Sequence, residues 1–216
     1  MATHFEMELE KLKNLIIKIG NLAEIQFGES VKALLSETIE DKDLKKTENK
    51  IDKLDIKIDE ICQSIFALQH PVASDLRFIM ASMQISNEFE RIGDLSISII
   101  NRANSFNDKH DLIVKLDIAD LAKDVELVMA KTIESFLTRT ELNLGRVFLL
   151  NSTIQKKRKD ATQSIITEMK LNSKKVVSGT NLVIVLKHLE CISQHCTNIA
   201  ENVQFIVNAK IIKHEK

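Results

Sequence analysis

Two pairs of carboxylates carry the chemistry this sequence can do. Glu90 and Asp94 stand four residues apart, as do Glu48 and Asp52, so each pair shares one face of a helix. Glu90 lies seven residues from both Met83 and Ile97, which puts it on or beside an apolar stripe. An unpaired carboxylate there is costly, and buried charges are normally paired or bound to metal. Gly93, inside the Glu90–Asp94 pair, weakens a helix by about 1 kcal/mol relative to Ala. Its missing side chain lets a neighbouring helix or an ion come close. Asp55 and Asp59 continue the Glu48–Asp52 face. If the two helices are neighbours, Glu48, Asp52, Glu90 and Asp94 form an all-oxygen donor set suited to Fe, Mn, Mg or Ca. Facing helices of a bundle build metal sites in this way.

Plainer readings compete with this one. With 31 acids in 216 residues, chance alone supplies about four acid pairs at this spacing, so a single pair says little. The acids of the first face could be solvated and paired with Lys50, Lys53 and Lys57. His188, Cys191 and His195 fall on one helical face and could make a softer zinc site. An ordinary helix face with a half-buried thiol is the simpler account. The run Lys156-Lys157-Arg158-Lys159 reads as solvated surface. No nucleophile elbow, Walker loop or His-Glu-x-x-His helix is present, so neither catalytic residues nor an organic cofactor site are expected.

These side chains need long helices to hold them. One Pro, five Gly and no Trp or Tyr exclude sandwiches, barrels and most parallel-sheet enzymes, whose turns consume Gly and Pro. Apolar residues at three- and four-residue steps predict a helix from about Phe5 to Ser36 and a second from Leu44 to Gln69. The acidic stretch Glu40–Asp43 makes the turn between them. Pro71 stops the second helix and opens a third, which carries Ile79, Met83, Phe89, Ile92, Ile97 and Ile100. Asn104–Lys109 reads as a loop. Three more helices follow, marked by Ile118–Val128, Val147–Met169 and Val183–Val203.

Sliding the chain by 100 residues aligns Glu90 with Glu190, Ile92 with Ile192 and Ile99 with Ile199. The expected fold is therefore all-α, two tandem similar three-helix bundles, residues 1–106 and 107–216. With 30 basic against 31 acidic residues, the charge balance argues against nucleic acid as the partner. Three cysteines without framework spacing suggest a reducing compartment. The acidic N-terminus does not read as a signal peptide, and no run of ~18 apolar residues is apparent. The expectation is a cytoplasmic protein whose membrane contact is peripheral.

Glu90-Arg91-Ile92-Gly93-Asp94-Leu95 resembles a segment of the PhoU family of phosphate-signalling and phosphate-transport accessory proteins. Leu68-Gln69-His70-Pro71-Val72-Ala73-Ser74-Asp75-Leu76-Arg77 resembles that family's Leu-Gln-Gln-Pro-Val-Ala-x-Asp-Leu-Arg segment. His4-Phe5 with Glu8-Leu9-Glu10, Ile51-Asp52-x-Leu54, Cys62, His188-Leu189-Glu190 and His195-Cys196-Thr197-Asn198-Ile199-Ala200-Glu201 agree with it too. The resemblance implies two similar three-helix bundles that hold iron or other metal clusters through Glu/Asp-x-x-x-Asp pairs. Carried onto this chain, the first site is complete: Glu48, Asp52, Glu90 and Asp94, with iron the leading metal and Mn, Mg or Zn as others. The second is degenerate. Asn151, Gln155 and Gln194 stand where the family has acids, and Glu190 alone survives, so weak or no metal binding is expected there. Ser98-Ile99-Ile100-Asn101 also departs from the family's Asn-Ile-Ala-Glu.

The implied function is negative regulation of phosphate uptake and phosphate-regulon signalling, by a homodimer close to the inner membrane. Its implied partners are the ATPase of the Pst-type ABC phosphate transporter and a phosphate-sensing histidine kinase. Alternatives are a metal-free helical adaptor and a di-iron carboxylate bundle enzyme. The enzyme would want Glu-x-x-His pairs, and none accompanies Glu48 or Glu90.

Overall fold

The computed structural model describes residues 3–35, 41–105, 110–139 and 141–208. Among them are seven α-helices and no strand: α1 His4–Leu34, α2 Asp41–Gln69, α3 Ala73–Asn104, α4 His110–Lys115, α5 Ile118–Thr138, α6 Glu141–Leu171 and α7 Val176–Asn208. A single 3-10 turn, Ser173–Lys175, joins α6 to α7. The six expected long helices are α1, α2, α3, α5, α6 and α7; the short α4 was not anticipated. Helix α2 begins at Asp41, inside the stretch read as a turn. The domain boundary between 106 and 107 lies outside the described residues.

Local chemistry accounts for the helix ends. Thr3 caps α1 in a reciprocal box with Glu6: Thr3 Oγ1 accepts from the Glu6 amide and Glu6 Oε2 from the Thr3 amide. Pro71 does not open α3. It sits in the α2–α3 turn, and α3 starts at Ala73. His70 and Ala73 there take the left-handed conformation, with φ of 45° and 39°, at a cost of about 1–2 kcal/mol each for residues with a Cβ.

The apolar stripes bury as their spacing requires. Leu12, Ile16, Ile19 and Ala23 of α1, Ile51, Ile58 and Ile65 of α2, and Ile79, Ile85 and Ile92 of α3 are almost fully buried. Helices α1, α2 and α3 form one bundle, and α5, α6 and α7 the other. The bundles join through α3 against α7 and α1 against α5, and one continuous core runs through both. At the α3–α7 seam Glu88 accepts hydrogen bonds from Asn198 Nδ2 at 3.1 and 3.2 Å and lies 2.5 Å from His195 Nδ1. By length and composition α7 could cross a membrane, which the sequence reading did not register; half of its most apolar stretch is buried in this core.

Candidate metal centre

Helices α2 and α3 run antiparallel and are tied together at three levels. Cys62 Sγ donates to the Ile79 carbonyl at 3.8 Å. Ser86 Oγ donates to Asp55 Oδ1 at 2.6 Å. At the third level a Cβ on Gly93 would stand 3.3 Å from Ile51 Cδ1, so Gly93 serves the close approach of a neighbouring helix. From α1, Gln26 Nε2 donates to the Gly93 carbonyl at 3.2 Å. This cross-bracing sets the acids of α2 beside those of α3.

Glu90 lies at the edge of the core, not in it. Met83 and Ile97, which frame it in sequence, are themselves partly buried. Its side chain is 23% exposed, and Oε2 is buried without a hydrogen-bond partner. Arg91 is the cation nearest to hand, with Nε 3.6 Å from that oxygen and Nη1 3.7 Å from Asp94 Oδ2. Both distances exceed hydrogen-bonding range. Asp52 and Asp94 open to solvent. Burial, then Asp94, Asp55 and Asp52, push the Glu90 carboxyl above its usual range against a partial offset from Arg91. Burial, Asp94 and Asp55 raise Asp52 in the same direction. Burial and Asp55 raise Asp59.

The structure thus brings Asp52, Glu90 and Asp94 into one repelling cluster, and adds Asp55. Glu48 sits one turn before Asp52, half-buried. Among the described residues no three His, Cys, Asp or Glu side chains stand in metal-holding geometry. The residues fit a hard cation by donor chemistry, by mutual repulsion and by the orphaned Glu90 oxygen, and the side chains are not preassembled around one point. Of the solvated-pair account, the solvation is seen at Asp52, which is exposed; among the described residues none of Lys50, Lys53 and Lys57 makes an ion pair with Asp52, Asp55 or Asp59. Asp55 was visible in the sequence as an acid one turn on. Its engagement with Ser86 depends on a helix 31 residues away and carries no local signal.

The matched place in the second bundle is neutralised from within. Glu190 Oε1 accepts from Arg158 Nε at 3.1 Å and Nη2 at 2.8 Å, and Glu190 Oε2 accepts from Lys187 Nζ at 2.6 Å. Burial pushes the Glu190 carboxyl up, but the bonds from Lys187 and Arg158 outweigh it and the net shift is downward. Asn151 is buried and accepts from Ser193 Oγ at 2.9 Å. Gln194 Nε2 donates to Asn198 Oδ1 at a long 3.5 Å. The basic run is not merely solvated: Arg158 holds Glu190, and Lys157 bridges Asp120 and Asp124 at 2.5 and 2.6 Å. Arg158 lies three residues after Gln155, as Asp55 lies three after Asp52, so this place in the repeat has reversed its charge.

The zinc reading of His188, Cys191 and His195 is not realised. His195 is engaged by Glu88, and His188 is half-buried, with burial and then Arg102 lowering its basicity. All three thiols are free. Burial pushes Cys62 and Cys196 up to about 12, which makes them poor ligands and poor nucleophiles.

Comparison with known proteins agrees with this architecture. The chain matches the PhoU domain twice, at residues 16–103 and 118–203. It is 26% identical to the phosphate-specific transport system accessory protein PhoU of Serratia marcescens, covering 99% of this chain and 88% of that one. It is 29% identical to the PhoU homologue of a Synechocystis species, covering 96% and 93%. The crystal structure of PhoU from Pseudomonas aeruginosa superposes with a TM-score of 0.84 at 24% identity, over 96% of this chain and all of that one. That of the phosphate transport system regulatory protein PhoU from Streptococcus pneumoniae gives 0.75 at 20% identity, over 98% and all of that chain.

Proposed function

The chain belongs to the PhoU family, and from that premise we propose that it is an accessory regulator of phosphate transport that acts by binding, not by catalysis. In this reading it lowers phosphate uptake and phosphate-regulon signalling. It does so by contacting the ATPase of the phosphate ABC transporter, the phosphate-sensing histidine kinase, or both, as a cytoplasmic homodimer. A metal, iron first and Mn, Mg or Zn as others, is held in the N-terminal bundle by Glu90, Asp94, Asp52 and Glu48. When bound it supplies positive charge that cancels the repulsion between α2 and α3 and locks the two helices together. Glu190 and its neighbours hold none, because Arg158 and Lys187 already occupy the carboxylate.

The observation that carries the metal reading is the Glu90 carboxylate, with one oxygen buried without a hydrogen-bond partner among Asp52, Asp55 and Asp94, and only Arg91 at 3.6 Å to offset them. Elemental analysis of protein purified without chelator tests it. Metal is expected in the parent chain and absent from a variant with Glu90→Ala and Asp94→Ala. Full metal content in that variant overturns the assignment. That no three of these side chains stand in metal-holding geometry among the described residues favours one second reading, a metal-free adaptor, and a parent chain without metal would establish it. For the regulatory role, deletion of the gene should raise phosphate uptake in phosphate-replete cells; unchanged uptake contradicts it.

A further inference from the structure

Among the described residues, no helix fully covers one stripe on α3. Leu76, Met80, Met83, Asn87, Glu90 and Asp94 follow one another at steps of four, three, four, three and four residues. Such spacing draws one line along a helix, here about 27 Å long. Leu76 is 37% exposed and Met80 45%. Asn87 and Asp94 are exposed, while Met83 and Glu90 are half-buried. The line continues into the α2–α3 turn, where Val72 and Leu68 are each 70% exposed. Its two halves differ in kind. The first is apolar. The second is acidic and bordered by Asp52 and Asp55 of α2.

Contiguous exposed apolar surface marks an interaction site, and this one ends at the turn where His70 and Ala73 are left-handed. The acids decide what binds: they repel phosphate backbones and anionic lipid headgroups, and attract Lys and Arg. The matched line on α7 reads Val176, Thr180, Val183, Lys187, Glu190 and Gln194. There the apolar half is thinner, and Lys187 and Arg158 neutralise the acidic half.

We propose that the α3 stripe docks an amphipathic helix of a partner protein, about 18 residues long, apolar in one half and lysine- or arginine-bearing in the other. The apolar half lies over Leu76, Met80 and Met83, and the basic half over Glu90 and Asp94. This surface does not depend on the metal reading. A divalent cation in the crevice competes with the basic half of the ligand.

The chain contains no Trp or Tyr, so a single Trp in a synthetic peptide reports binding against a dark background. One 18-residue peptide carries leucines on one face of its first half and lysines on the same face of its second. A control of identical composition interleaves the two along that face. Titrated with the full chain in chelator, the segregated peptide is expected to bind at least ten-fold tighter. Leu76→Glu with Met80→Glu should weaken it ten-fold or more, and so should Asp94→Lys; Val176→Glu should not. All of these residues are exposed or half-exposed, so folding survives, as circular dichroism can verify. Equal binding of the two peptides, or undiminished binding by both α3 variants, overturns the proposal. A chain that prefers the segregated peptide yet purifies without metal loses only the metal reading. A chain that holds metal and treats the peptides alike loses only this one.

Discussion

The two bundles share a frame and treat charge in opposite ways. In the first, Asp52, Glu90 and Asp94 face one another with a loosely placed Arg91 between them. In the second, Glu190 is clamped by Arg158 and Lys187, and amides stand at the remaining places. Buried or half-buried carboxylates need a counter-charge. The C-terminal bundle carries its own, covalently and permanently. The N-terminal bundle has Arg91 beyond hydrogen-bonding range of its acids, and the two proposals above supply the missing charge from an exchangeable cation or a basic segment. The comparison teaches that a duplicated fold can neutralise its acids from within in one copy and leave them repelling one another in the other.

The sharpest way to break this contrast is to remove the built-in cation. Arg158→Met keeps most of the side chain's apolar stem and leaves Glu190 with Lys187 alone. A buried carboxylate stripped of its main partner costs several kcal/mol, less where a second partner and some solvent remain. We expect a loss of about 2 kcal/mol in chemical denaturation. Adding Glu190→Gln should restore most of it, because no unpaired charge is then left behind. If the single variant is as stable as the parent, the clamp is ornamental and the contrast fails.

Next in size is a reversal of sign. In chelator, Glu90→Gln removes one of the repelling charges and should stabilise the chain by about 1 kcal/mol, whereas Glu190→Gln should destabilise it by a similar amount. The same pair can be followed with pH. The folded-state carboxyl of Glu90 is raised, so ionising it costs stability above that value, and the cost is relieved as the pH falls through it. That of Glu190 is lowered, so its contribution is present above the unfolded value and is lost as the pH falls through the folded one. Denaturation midpoints from pH 7 to pH 4 should therefore fall more steeply than the parent's in Glu90→Gln, and less steeply in Glu190→Gln. Parallel profiles would sink the electrostatic account.

The sequence made the frame legible and the wiring only partly so. Stripes such as Leu12, Ile16 and Ile19 are dictated by helical period alone, and all three are buried. The 100-residue repeat placed Glu190 opposite Glu90 in register. What period does not encode is partner choice across helices. Nothing local says that Arg158 turns toward Glu190, 32 residues away, or that Asp55 is held by Ser86. Pro71 misled for a similar reason. Its fixed φ suits a first helical turn, but two left-handed residues on either side delay the helix to Ala73. In the sequence the apolar character of α7 is interrupted by Lys187-His188, Ser193-Gln194-His195 and Glu201-Asn202, so it shows as a high average and not as an unbroken run.

A smaller effect separates the two helix ties. Ser86 is fully buried and donates to a carboxylate at 2.6 Å, while Ser193, also fully buried, donates to an amide at 2.9 Å. Bonds to charged acceptors are the stronger. Ser86→Ala should cost about 1.5 kcal/mol and Ser193→Ala about 1 kcal/mol. Any metal affinity should fall only in the first, because Asp55 would be freed to move within the acidic cluster.

The smallest expected effect lies in the turns. The α6–α7 connection closes with a 3-10 turn in which Asn172 Oδ1 accepts from the Lys174 amide, and no residue there has a positive φ. The α2–α3 connection instead forces Ala73 to 39°. Ala73→Gly relieves the Cβ clash but frees the unfolded chain, so the net gain should be about 0.5 kcal/mol. If the strain exists to hold the apolar tip in place, that gain should come with two- to three-fold weaker binding of the segregated peptide. A glycine that stabilises the chain and leaves peptide binding untouched would mean that the strained turn is incidental, and that helix packing alone positions the stripe.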